Sequence, residues 1–118
     1  MAVNLAAPDA LTPVAGVRLA AVAASVRKPD RDDVVVLELA PGSRVAAVFT
    51  QNAFCAAPVT LARQHLAAAA PRFLLINSGN ANAGTGAAGL TAAAACCAEL
   101  ARLGGCQAQS VLPFSTGV

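Results

Sequence analysis

The side chains here that could take part in chemistry are mostly uncharged. Phe114-Ser115-Thr116-Gly117 sets hydroxyls directly before a glycine. At a strand end, a hydroxyl followed by glycine can present one side-chain O–H and one backbone N–H to the same point. Two such donors are what a developing oxyanion needs in acyl transfer. The same Ser-Thr-Gly sequence is also an ordinary turn, so both uses stay open at this point.

A second candidate is Asn77-Ser78-Gly79-Asn80-Ala81-Asn82-Ala83-Gly84-Thr85-Gly86. Glycines let the backbone approach something closely, and Asn side chains donate and accept at fixed positions. Gly84, Gly86 and Gly89 also match Gly-x-Gly-x-x-Gly. Against a dinucleotide site, polar loop intervenes between Ser78 and Gly84, and no residue after Glu99 is acidic to hold a ribose. Against a phosphate-binding loop, Gly84 is followed by Thr85 rather than Lys. The alternative to nucleotide binding by this 79–89 glycine loop is an Asn-rich segment that satisfies its own backbone.

Four cysteines stand at 55, 96, 97 and 106. None forms a Cys-x-x-Cys pair, and the single His65 lacks a partner at metal spacing, so no metal site is expected. Cys55, in the loop Thr50-Gln51-Asn52-Ala53-Phe54-Cys55-Ala56-Ala57-Pro58, has no base assigned to it. The cysteines read as small, reduced, apolar residues.

These candidates need elements to position them. Residues up to about Pro13 look like a loose leader, and Gly16 to Val26 reads as a strand. Lys28-Pro29-Asp30-Arg31-Asp32-Asp33 is a charged turn. Val34-Val35-Val36-Leu37-Glu38-Leu39 is a strongly β-branched strand. After the Pro41-Gly42-Ser43 turn, Arg44 to Thr50 is expected to return as the second strand of a hairpin-like pair. Pro58 suits a helix first turn, and Val59, Ala62, Leu66 and Ala69 fall at helical spacing, with Arg63 and Gln64 outward. Pro71 ends that helix. Arg72 to Asn77 is the most apolar strand and is expected to be central. Leu90, Ala94, Cys97 and Ala101 mark a second helix closing at Gly104-Gly105, and Ser110 to Phe114 is a last strand. Strands and helices interleave, which gives a layered α/β or α+β class. No repeat or linker divides residues 1–118, so a single domain is expected.

Much of the 57% apolar fraction is alanine, with four Phe and neither Trp nor Tyr. Alanine buries little area, so a thin core is expected, one that leans on further chain or a partner. The formal charge of +2 is mild and its cations are scattered. There is no basic stripe or aromatic platform for nucleic acid. Pro8, Asp9 and Pro13 interrupt any signal-like apolar run. The uncharged stretch from Phe73 to Ala98 is broken by Asn77-Ser78-Gly79-Asn80-Ala81-Asn82, which hydrocarbon would not tolerate in one helix. A soluble, cytoplasmic protein without a membrane span is expected.

Taken in order, several segments resemble one family. They are Pro13-Val14-Ala15-Gly16-Val17-Arg18-Leu19; Val48-Phe49-Thr50-Gln51-Asn52 with Cys55-Ala56-Ala57-Pro58-Val59; Ile76-Asn77-Ser78-Gly79-Asn80-Ala81-Asn82-Ala83-Gly84-Thr85-Gly86; and Ser115-Thr116-Gly117-Val118. From about Thr12 onward the chain resembles the N-terminal part of ornithine acetyltransferase, the glutamate N-acetyltransferase of arginine biosynthesis.

The resemblance implies the self-processing fold of that family and acetyl transfer from N-acetylornithine to glutamate, with acetyl-CoA a donor for some members. It implies no cofactor. It also implies a precursor that cuts itself into α and β chains, which form an αβ heterodimer that pairs into a heterotetramer. The N-terminal threonine of β is the nucleophile, activated by its own α-amine. By motif position the family's oxyanion hole falls on Thr116 and Gly117, with Ser115 in support. The cleavage site and nucleophile lie beyond this stretch, so the chain is expected to be a fragment, inactive alone. A non-catalytic assembly module is a further alternative. The thin core predicts a low, poorly cooperative thermal transition for the isolated 118-residue chain; a high, sharp one by calorimetry would contradict it.

Overall fold

The apolar runs form one sheet with helices packed along part of it. In the computed structural model, Ala6 and residues 9–117 are described; the first part of the leader and Val118 of the closing motif lie outside them. The elements are β1 (Val17–Val22), β2 (Val34–Leu39), α1 (Ala57–Ala68), β3 (Phe73–Ser78), α2 (Gly86–Gly104) and β4 (Val111–Thr116). A single 3₁₀ turn, Ala108–Ser110, leads into β4. The strand order is β1-β2-β3-β4. β1–β2 and β2–β3 are antiparallel, while β3–β4 is parallel with α2 as its crossover. The sheet is therefore mixed and the class α+β.

β3 is interior, as its apolar sequence implies. Residues paired across the strands share a sheet face. Phe73 and Val111 turn toward α2, where they meet Ala93, Cys97 and Ala101, and Leu61 of α1 joins them. Small residues on α2 let the helix lie close to the sheet. Val111 and Cys97 are fully buried, yet this central cluster contains only six residues. α2 stops as expected, with Gly105 in the left-handed conformation and its N–H bonded to the Ala101 carbonyl.

The opposite face is also apolar in register. Leu19, Leu37, Leu74 and Leu112 form one row across the four strands, and Ala21, Val35, Ile76 and Phe114 the next. Only Leu112 in these rows is fully covered. Leu19 stays 63% exposed and Phe114 44%.

Four expectations need correction. Arg44 to Thr50 is not a strand. Both edges of β2 are already taken, by β1 and β3, so a returning strand has nothing to pair with. Instead Arg63 of α1 donates to the Thr50 carbonyl at 2.9 Å and stacks over the Phe49 ring. β1 ends at Val22 rather than Val26, because the buried Asp33 carboxylate accepts from the Ala24 and Val26 N–H groups at 2.7 and 2.6 Å. The chain is thereby drawn out of the ladder. Of the expected Val59-Ala62-Leu66-Ala69 stripe only Ala62 is fully buried, and α1 buries Pro58, Leu61 and His65 with it. His65 can face inward because its Nδ1–H donates to the Val111 carbonyl at 2.7 Å. Finally, β4 starts one residue later than expected, with Ser110 in the preceding turn, and runs two residues further, to Thr116.

Asp33 also joins the β1–β2 connection to β3. Its N–H donates to the Val22 carbonyl at 3.1 Å and its carbonyl accepts from Ser78 N–H at 2.8 Å. Replacing Asp33 by Ala takes the charged acceptor from two part-buried N–H groups that water can partly reach, a loss of about 1–2 kcal/mol. We expect a lowered urea midpoint for Asp33→Ala in the complete protein, with earliest proteolysis in the 24–32 loop; an unmoved midpoint would show the carboxylate to be dispensable.

Candidate active site

β3 and β4 end side by side, with Ser78 paired to Thr116. The ladder continues one step further, as Gly79 N–H donates to the Thr116 carbonyl at 2.9 Å. Gly117 then takes φ +103°, a region L-residues rarely enter. A Cβ there would overlap the Gly79 amide nitrogen. Glycine is thus required at 117 twice, by its dihedral and by the approach of another backbone.

Thr116 closes the strand with an exposed side chain. No group among the described residues accepts from the Gly117 N–H. A hydroxyl and an N–H on consecutive residues therefore stand at the end of the parallel strand pair. Ser115, the residue before them, is tied back to β3. Its hydroxyl donates to Asn77 Oδ1 at 2.6 Å, and Asn77 Nδ2 donates to the Asn80 carbonyl at 2.8 Å.

The Asn-rich loop is occupied with itself. Asn82, at φ +51°, accepts at Oδ1 from Thr85 Oγ at 2.5 Å and donates from Nδ2 to the Gly89 carbonyl at 2.9 Å. Its N–H donates to Asn80 Oδ1, and its carbonyl accepts from Ala57 N–H at the start of α1. A Cβ on Gly89 would collide with Thr85 Oγ and Asn82 Oδ1. The last glycine of the Gly-x-Gly-x-x-Gly match therefore makes room for the loop's own latch, and these amides are already used locally.

The other candidates do not supply a nucleophile–base pair. Cys55 Sγ donates to the Asn52 carbonyl at 2.8 Å. Burial, and then the neighbouring Cys96, push the Cys97 thiol up to about 11, which keeps it protonated at neutral pH. His65 is committed to Val111 in the core. Among the described residues no group of three His, Cys, Asp or Glu is placed to hold a metal ion. No helix there is long and apolar enough to cross a membrane.

One feature was missed from sequence. The charged turn comes back over the strand ends, so that Arg27, Lys28 and Arg31 line a cleft of about 300 Å³ together with Gly79 and Gly117. The only available signal was three cations within five residues, and Asp30, Asp32 and Asp33 among and after them hid it.

The fold is an α+β domain in which a Ser-Thr-Gly segment ends a parallel strand pair. The chain belongs to the ArgJ family, whose family model matches residues 18–118. It is 61% identical over 108 residues to the arginine biosynthesis bifunctional protein ArgJ of Methylococcus capsulatus, covering 92% of this chain and 26% of that protein. With the protein of the same description from Psychrobacter arcticus the identity is 55% over 115 residues, covering 98% and 28%. The chain thus spans about a quarter of the length of these relatives. Among solved structures, the arginine biosynthesis bifunctional protein ArgJ of Bacillus halodurans superposes with a TM-score of 0.82 at 30% identity, covering 88% of this chain and 55% of that one. Ornithine acetyltransferase of Mycobacterium tuberculosis, complexed with ornithine, gives 0.75 at 37% identity, covering 88% and 57%.

The double requirement for glycine makes Gly117→Ala a specific probe. In the complete protein it should part the ends of β3 and β4 and cost about 1–3 kcal/mol. Hydrogen exchange at the Gly79 amide should then lose protection; unchanged protection would show that the corner tolerates a side chain.

Proposed function

We propose that this chain is the N-terminal part of an enzyme that moves an acetyl group from N-acetylornithine to glutamate in arginine biosynthesis. Membership of the ArgJ family and the names of the two bacterial relatives support arginine biosynthesis. The observation that carries the chemistry is the two-donor corner at Thr116 and Gly117.

Acyl transfer needs a nucleophile, a base and a place for negative charge. This chain offers the third. When an attacking group adds to the acetyl carbonyl, its oxygen becomes an alkoxide in a tetrahedral intermediate. The Thr116 hydroxyl and Gly117 N–H donate to that oxygen, and glycine leaves the N–H unobstructed. Ser115 and Asn77 fix the strand end, so the donors stay in place as charge develops.

The described residues contain no activated nucleophile, and the chain spans about a quarter of its relatives' length. In this reading the attacking threonine begins a β chain made by self-cleavage of the same precursor. It takes the acetyl group from N-acetylornithine, releases ornithine, and passes the acetyl to the glutamate amine, with acetyl-CoA a second donor. The αβ unit pairs into a heterotetramer in the cytoplasm, without a bound cofactor. The chain alone has no transferase activity.

Removing one oxyanion donor typically costs about 10²–10³ in turnover. Thr116→Ala in the complete enzyme should lower kcat by that factor with an unchanged melting temperature. Steady-state kinetics beside a thermal melt check this; wild-type turnover in a folded variant would remove Thr116 from the mechanism.

A further inference from the structure

The cationic cleft beside Gly117 has no place in the reading above. Its three charged lining residues, Arg27, Lys28 and Arg31, all carry the same sign. Of the acids on the same loop, Asp33 is turned inward and held by the Ala24 and Val26 N–H groups. Asp30 and Asp32 are exposed and do not line the cleft. Among the described residues no carboxylate lies within ion-pair distance of the three cations.

The loop is also held in place. Asp33 ties its two ends together, and Gly79 packs directly beneath Arg27, where a Cβ on Gly79 would come within 3.0 Å of Arg27 Cβ. Arg31 Nη2 lies 3.3 Å from Ser78 Oγ, on the residue that pairs with Thr116. Gly79 thus sits between the cationic loop and Gly117. The positive wall and the oxyanion corner meet across a single residue.

We propose that Arg27, Lys28 and Arg31 bind a carboxylate of the amino-acid substrate while its nitrogen is at the acyl-transfer centre. This rests on the acetyl-transfer reading and adds the group by which the substrate is oriented. A guanidinium fork matches a carboxylate in shape and charge. The cleft is small and borders Gly117. An amino acid with its nitrogen at the acetyl carbonyl can reach it with a carboxylate only a few bonds away. The phosphates of an acetyl-CoA donor, separated from the acetyl group by the pantetheine arm, would fall outside it.

The test is steady-state kinetics of the complete enzyme carrying Arg27→Ala, Lys28→Ala or Arg31→Ala, with Arg31→Lys as the conservative variant, each with a thermal melt. The Ala variants should raise the KM for an amino-acid substrate by about tenfold, the scale of one charge-assisted contact. kcat should change far less, melting should not move, and Arg31→Lys should recover part of the loss.

A rise for glutamate alone would identify its side-chain carboxylate as the bound group. An equal rise for N-acetylornithine would identify the α-carboxylate common to both, and either result supports the cleft. Unmoved KM values in an active enzyme would overturn it, as would a rise confined to acetyl-CoA or a lowered melting temperature with intact KM. A wild-type enzyme without transferase activity would overturn the function itself, which keeps the two failures apart.

Discussion

The structure depends on the parallel pairing of β3 with β4 and on how closely their ends approach. Parallel neighbours cannot be joined by a tight turn, so α2 must cross between them, and its small residues let it settle on the sheet. That crossover places Thr116 beside Ser78, and the bond from Gly79 to the Thr116 carbonyl carries the pairing past the last strand residue. Two glycine backbones then come closer than any side chain permits. Gly117 takes its positive φ at this approach, where the chain turns out of the sheet.

Around the pairing, polar groups act as ties rather than as reagents. Asp33 collects N–H groups from a loop that would otherwise extend β1. Asn82 binds the loop after β3 to the first turn of α2 and to the start of α1. His65 joins α1 to β4 through the Val111 carbonyl. Most of these bonds join a side chain to backbone, which costs less ordering than two side chains held against each other. A chain whose helices are rich in alanine has few large side chains with which to fix its connections.

Much of this was legible in the residues. The β-branched run of β2, the apolar run of β3, and the glycines that end α2 state their local structure directly. Pairing partners are not local, and there the sequence was silent. Nothing in Arg44 to Thr50 reveals that β2 has no free edge. The inward turn of His65 depends on an acceptor 46 residues away. At the site, Ser-Thr-Gly is visible as a motif, while its closeness to Arg27 and Arg31 is not, because acids and bases alternate along that loop and only the fold turns Asp33 inward. Motifs survive in one dimension when their parts are contiguous; clefts made by two distant loops do not.

The partly covered rows of Leu19, Leu37 and Leu74, and of Val35, Ile76 and Phe114, bear on how such a chain behaves during synthesis. A nascent polypeptide gains this sheet from its N-terminus onward, and the apolar face is complete as soon as β4 has docked. Any later segment that covers it arrives only after more residues have been added. In that interval the face is open to other apolar surfaces, including a second copy of itself. Translation speed and chaperone occupancy over this interval would then influence yield independently of the stability of the finished protein.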